Sequence, residues 1–483
     1  MTTNTPMPAS TDQNEPPQHI RTFGLGTSTV VVVASMVGSG VLTTSGFTVY
    51  AVGSNQLMLM LWCVGGVLAM CGALTIAELA SSIPESGGDY VFLREAYGPL
   101  AAFLSGWVSF LLGFGGPIAV SALASARYFV EPWGLPEPTK TYVQLAIAST
   151  SIILLAFIHS SGRRQGAFVQ MLTTLIKWVV LLVLAVAGLI GGWGNWQNLQ
   201  DRPPMSLDVG LGMLSSLVFI SYAYTGWNGV GYIAGEVKSP QRSIPLAILL
   251  GTGSVMLLYL ALNLSYALAL SAEDVRQIVQ PPGESANPNR VAPIAQIAAA
   301  RLFGDGWSTV LSFAIGVTLL ASVSAFVLTG PRVACAMAQA GQFPAIAGRL
   351  SSQGVPANAT WLQVAWALIL LWSGSLENLL GYSSVGLALI SLMTISSIFV
   401  LRASRPNLNR PFRTPGYPVV PFIYLLGTGL LTLAAFLRTP VESSLALGSI
   451  LLGIPIYYAL VPMRVCRNQN PTEATDPVRE PPA

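Results

Sequence analysis

The sequence predicts an all-α protein that threads a bilayer twelve times and carries no soluble domain. Three observations point to that class. Only 9% of the 483 residues are charged and 52% are hydrophobic, whereas a soluble domain has about 25% charged residues. The apolar residues fall into runs of the length a bilayer requires, about 20 residues each. Short polar connections join those runs, apart from one hydrophilic loop at 271–300 rich in Pro, Glu, Asn and Gly. A water-soluble enzyme, a disordered chain and a nucleic-acid binder are excluded on the same grounds. The net charge of +3 is too small and too scattered to form a phosphate-binding surface.

Residues 1–20 are polar and hold four prolines, so a disordered tail is expected there. The twelve-span domain then runs over 21–464, and 465–483 reads as a second disordered tail. Its first six apolar runs lie at about 23–50, 56–80, 97–130, 141–160, 167–191 and 208–236. The second six lie near 244–270, 303–338, 360–380, 383–402, 417–437 and 443–464. Several runs exceed a minimal span, which implies tilt or extension beyond the bilayer. Basic residues set the orientation. With the N-terminus cytoplasmic, fifteen of the 23 Lys and Arg fall inside, seven fall outside, and Lys177 belongs to neither side. Both termini are therefore expected in the cytoplasm, in an inner or plasma membrane. Cys63, Cys71, Cys335 and Cys466 form no Cys-x-x-Cys pair, and His19 and His159 stand apart, so no disulfide, metal site or cofactor is expected.

Spans 1 and 6 are interrupted. Gly38-Ser39-Gly40 lies mid-span in the first, and Thr225-Gly226-Trp227-Asn228-Gly229 lies mid-span in the sixth. Glycines in membrane helices commonly serve close packing. Here they stand five spans apart, and an odd number means that a second five-span unit enters from the opposite face. Matched interruptions in two halves point to inverted repeats around a midplane site, with repeat one at 21–191, repeat two at 208–402 and two extra helices at 417–464. Unwinding frees backbone groups that lipid cannot satisfy, so they must line a cavity. Amides of Ser39, Gly40 and Val41 would open the outer half-helix, whose positive dipole end favours a carboxylate. Carbonyls near Ala34 and Met36, with those near Tyr222 and Thr225, would face an ammonium. Such a site suits an α-amino acid.

These residues resemble a known family. The chain is similar over nearly its whole length to the amino acid–polyamine–organocation superfamily, within it to the L-type and related bacterial amino acid permeases. The similarity rests on VGSGVL at 37–42, PESGGDYVFLREAYGPL at 84–100 and VQMLTTLIK at 169–177. It continues in YAYTGWNGVGYIAGEVKSPQRSIP at 222–245, GPRVACAMAQAGQFP at 330–344 and RPFRTPGYPVVP at 410–421. The resemblance implies a LeuT-type fold of two inverted five-helix repeats plus two helices, and alternating access to one central site. It implies that Gly38, Ser39 and Gly40 form the carboxylate-binding turn and that Met36 supplies a carbonyl to the amino group. Tyr222 would cover the substrate on its outer side, with Thr225 and Asn228 as site positions. Tyr90 would reach Asn228 and help close the inner side.

Lys177 lies thirteen residues after Arg164 and sixteen before Trp193, too deep for easy snorkelling. A central lysine costs about 2.5–3.5 kcal/mol on insertion scales. No acidic residue is expected at the midplane to pair with it. Its remaining partners are hydroxyls and unwound carbonyls, the groups a sodium ion would otherwise use. In the family a lysine at this position resembles a fixed substitute for a second sodium ion, and Ser322 and Ser324 of span 8 are the candidate hydroxyl partners. Sodium-independent transport, as a proton symporter or an exchanger, is the expectation. No Asp or Glu is expected in the spans that line the pocket, which favours a neutral amino acid. The alternatives are a polyamine or amine transporter of the same fold, or a non-transporting amino acid sensor. An enzyme is not expected, because no cluster of His, Asp, Glu or Cys falls at membrane depth. The loop at 131–140 lacks the cysteine through which L-type members bond a glycoprotein, so no disulfide-linked heavy chain is expected.

Overall fold

A bilayer gives a backbone no hydrogen-bonding partner but itself, so apolar runs become helices. The computed structural model describes residues 23–460 apart from 39, 137, 191–193, 202–205, 292, 305–307 and 374–375. Both expected tails and Ser39 lie outside the described residues. Nine of the described helices are long and apolar enough to cross a membrane, and the bent pair Leu25–Met36 and Gly40–Val52 makes ten. We call these two halves spans 1a and 1b; they meet at 40°. Span 2 is Asn55–Ser82, and span 3 runs from Pro99 to Trp133. Spans 4 and 5 are Thr139–Ser161 and Arg163–Ile190. Span 6 is broken into Leu207–Ala223 (6a) and a 3-10 helix, Gly229–Glu236 (6b). Spans 7 and 8 are Pro240–Ala269 and Ser308–Gln339. Spans 9 to 12 are Ala357–Ser373, Leu376–Ser404, Val419–Arg438 and Pro440–Leu460.

Twelve segments thus stand in the expected order, with two differences. The helix of span 10 begins at Leu376, ahead of the expected start near 383. The glycine- and serine-rich stretch at 381–386 is instead inside span 10, where small residues admit close neighbours: a Cβ on Gly386 would meet Leu112 of span 3. The loop at 271–300 is partly ordered. It holds the helix Ala272–Val279, opened by a reciprocal Ser271–Asp274 capping box, and most of a second helix, Ile294–Phe303.

The spans pack as two sets. Spans 1, 2, 6 and 7 form one bundle, with 1a on 7, 1b on 6a, and 2 on 7. Spans 3, 4, 8 and 9 form the other, with 3 on 8 and 4 on 9. Span 5 packs against 7 and 8 and so bridges them. This is the LeuT-type arrangement, all-α with two additional helices. At the face bearing residue 23, Phe23 and Val237 form a short bridge, with Phe23 N donating to Glu236 O at 3.0 Å. Glu78, 2% exposed, receives both guanidinium arms of Arg402 at 2.7 and 2.9 Å and the Thr414 amide at 2.6 Å. The arginines at 402–413 therefore do more than set topology, since two of them, Arg402 and Arg410, tie the span 10–11 connection to span 2.

Candidate functional site

Span 1a stops because the Val37 amide makes the last helical bond, to Val33 O at 2.9 Å, and the chain turns extended at ψ 95°. The Val37 carbonyl then leaves the ladder. It accepts from Lys177 Nζ at 2.5 Å and from Ser322 Oγ at 2.9 Å. Lys177 is 1% exposed, and its ammonium also donates to Ser322 Oγ at 2.9 Å. Among the described residues no carboxylate pairs with it. Span 5 thus delivers a cation to the unwound backbone of span 1. Ser324 does not share this role. Two positions along a helix from Ser322 means a rotation of about 200°, and Ser324 instead bonds His159 Nε2 of span 4 at 2.8 Å.

Span 6 reverses at Gly226, whose φ of +107° an L side chain rarely adopts. A Cβ there would strike the Ser35 carbonyl, so the two breaks lie against each other. Tyr259 of span 7 joins them: its hydroxyl reaches Met36 O at 2.9 Å and Ala223 O at 3.1 Å. The Tyr222 carbonyl receives the Thr225 amide at 3.0 Å and hydroxyl at 2.7 Å. Met36 and Tyr222 carbonyls, expected to be open to a ligand, therefore already carry protein donors. Tyr259 is one of many aromatics in apolar runs, and nothing in the sequence marks it.

Between the breaks lies a partly open cavity with about 910 Å³ of empty space, open solvent included. Met36, Gly38, Gly40, Tyr222, Thr225 and Asn228 line it. Val41 does not; it is fully buried in the packing of span 1b. Gly38 opens onto empty space, with nothing within 4 Å of an added Cβ, while a Cβ on Gly40 would lie 2.5 Å from Ala223 Cβ. The two glycines thus do different jobs: one leaves room and the other permits contact with span 6a. Span 3 contributes Gly113 and Phe114 from a π-helical segment, Ser109–Gly115, a wide turn often found at functional sites.

The floor of the cavity differs from the expectation. Tyr90 does not reach Asn228; its hydroxyl donates to Gln342 Oε1 at 2.8 Å. The neighbouring Asp89 takes that place, accepting from Asn228 Nδ2 at 3.0 and 3.2 Å and from Tyr232 Oη at 3.1 Å. Successive helical residues point about 100° apart, so only one of the pair can face span 6b. Asp89 is an acidic residue in the pocket lining that the expectation about the spans did not cover, because it comes from a connection and not from a span. It lies in the short helix Asp89–Tyr97 between spans 2 and 3, entered at Gly88 with φ 57°. Burial pushes its carboxyl up to about 6, against the lowering by Asn228, Tyr232 and Thr394. Its signal in sequence was the Gly87-Gly88 pair, which lets this connection fold back under the cavity.

Comparison with known proteins shows the family. Residues 23–461 match the model of a family described as "Amino acid permease". The chain is 28% identical over 446 residues to the serine/threonine exchanger SteT of Bacillus subtilis, covering 91% of this chain and 96% of that protein. It is 27% identical to the human b(0,+)-type amino acid transporter 1, covering 91% and 88%. It is 25% identical to the human cystine/glutamate transporter, covering 89% and 83%.

Proposed function

We propose that this chain, which belongs to the amino acid permease family, is a sodium-independent carrier that moves a neutral amino acid by alternating access, as an exchanger or proton symporter. It is an amino acid permease and a multi-pass membrane protein, not an enzyme. We assign it to the cell membrane with both termini cytoplasmic, supported by the basic residues, and to a form without a disulfide-linked partner. In this reading Gly38, Ser39 and Gly40 hold the substrate carboxylate at the start of span 1b. The backbone around Met36 and Thr225 receives the ammonium, and Tyr222 and Asn228 close the site on either side.

The observation that carries the sodium-independent reading is the Lys177 ammonium on the Val37 carbonyl and the Ser322 hydroxyl. These are hard oxygen donors of the kind a sodium ion binds, and they are already occupied by a fixed cation. A carboxylate near them would have allowed both charges, but none pairs with Lys177 among the described residues. The test is counterflow into proteoliposomes preloaded with candidate amino acids, with sodium replaced by choline. Saturable counterflow at an unchanged rate is expected. Strict dependence on sodium would sink the proposal.

A further inference from the structure

We infer that Asp89 is the proton-binding group of this carrier, and that Asn228 passes its charge state to the substrate site. The inference rests on the reading of the central cavity as a transport site. The sequence points to Lys177 as the coupling residue, and Asp89 is not among its candidates.

Geometry supports it first. Asp89 is 6% exposed and forms part of the cavity wall, so a proton can reach it from the water that enters with substrate. Its oxygens bind only neutral donors: the Asn228 amide at 3.0 and 3.2 Å and the Tyr232 hydroxyl at 3.1 Å. Tyr232 sits on span 6b and Asn228 is the residue that caps its start. A buried carboxylate without a cation has two ways to lower its energy, protonation or a new partner.

Among the described residues, the charged groups on the surrounding elements are already paired. Span 6b presents Tyr232, whose ring also packs edge-on against Phe114 of span 3 at 5.4 Å; its one carboxylate, Glu236, is held by Arg332 at 3.1 Å. Span 10 presents Thr394 and Ser391, and its Arg402 is committed to Glu78. Span 11 presents Tyr424, hydrogen-bonded to Ser391 at 2.5 Å. On the short helix itself, Arg94 pairs with Glu85 at 2.6 Å and Glu95 at 3.0 Å, and Tyr90 turns to Gln342. Asp89 is therefore left to titrate against neutral groups. When it takes a proton from water, a carboxyl O–H forms and the charge that held Asn228 and Tyr232 disappears. Span 6b then loses its anionic anchor to the 2–3 connection, which frees the lower half of the cavity to rearrange. A neutral zwitterion and one proton would move together.

The experiment uses the purified full-length chain in proteoliposomes. Wild-type uptake is measured with and without an imposed pH gradient, and exchange is recorded at steps between about pH 5 and about pH 7.5, the range that brackets the group. Accumulation driven by the gradient is expected, with a midpoint near the about 6 of Asp89. Asp89→Asn should abolish gradient-driven accumulation and flatten the pH profile, whatever its absolute exchange rate. Tyr232→Phe removes a donor to the charged form and should move the midpoint to higher pH while keeping the profile's shape. An Asp89→Asn protein that keeps the wild-type profile overturns the inference, as does a wild type whose uptake ignores pH while counterflow is intact. A wild type without saturable counterflow overturns the carrier reading itself, and the inference falls with it.

Discussion

Two alanines placed two residues apart in span 1 should fail in opposite ways. In Gly40→Ala the new Cβ stands 2.5 Å from Ala223 Cβ and 2.7 Å from its Cα, which is backbone and cannot swing aside. Overpacking of this kind costs about 1–3 kcal/mol. Gly40 is the first residue of span 1b, where alanine recovers less than the about 0.5–1 kcal/mol of an interior position, so the clash wins by up to about 3 kcal/mol. Gly38→Ala meets nothing within 4 Å, and its φ is not positive. Its reduced unfolded-state freedom makes it neutral or stabilising by about 0.4–1 kcal/mol. Its methyl, however, stands in the cavity where the carboxylate is proposed to bind. Losing even 1.4 kcal/mol of substrate affinity there is about tenfold. The assay pairs thermal unfolding in detergent with counterflow in proteoliposomes. Gly40→Ala should melt lower than wild type; Gly38→Ala should melt at or above it yet exchange at least about tenfold more weakly at low substrate. If Gly38→Ala transports normally, or if the two melt alike, the division of labour between the glycines is wrong.

Further outcomes follow from the same contacts. Lys177→Met gives up two charged hydrogen bonds, about 3–6 kcal/mol together, against relief of about 2.5–3.5 kcal/mol of lysine insertion; melting should fall modestly, while sodium-free exchange drops by an order of magnitude or more, and unaffected exchange would remove Lys177 from the mechanism. Ser324→Ala, which loses only the His159 bond, should leave exchange within about twofold and stability lower by about 1 kcal/mol; a Lys177-like loss of exchange would contradict the assignment to Ser322. Arg402→Ala takes the nearer guanidinium from Glu78, 2% exposed, and leaves it Arg410 at 3.5 Å and the Thr414 amide; it should destabilise by about 1.5–3 kcal/mol, read as a lower melting temperature without a change in substrate preference. Asp89 has a folded pKa raised from 3.8 to about 6, so the folded state holds the proton more tightly and stability should rise as pH falls from about 6 toward 3.8. Asp89→Asn should erase that rise. Glu95 is the opposite case. Burial acts to raise its carboxyl, but Arg94 and Arg405 prevail and hold it below 4.5, so its contribution is present above 4.5 and fades as pH falls through the lowered value. Melting curves of Glu95→Gln below that pH should then decline less than those of wild type.

The class and the order of elements were legible in the sequence because a bilayer imposes a one-dimensional rule. Every crossing must be a long apolar run, and every break must be answered by a cavity. The paired interruptions at Gly38 and Gly226 placed the site for that reason, and Lys177 stood out because a charge at membrane depth is expensive wherever the chain goes. Periodicity placed the start of span 10 too late, since Gly381 and Ser383 are polar or small in sequence yet tolerated within a packed membrane helix.

What only the tertiary structure decided is which atoms meet. Asp89 and Tyr90 are adjacent letters, and the rotation of the chain after Gly88 determines that the carboxylate, not the phenol, faces Asn228. Ser322 and Ser324 look equivalent until helix rotation sends one to Lys177 and the other to His159. Tyr259 joins both breaks from a span that reads as ordinary apolar sequence. Hydrophobic burial is non-directional and so can be read from composition, whereas a hydrogen bond depends on angles of rotation that are fixed only when twelve helices have packed.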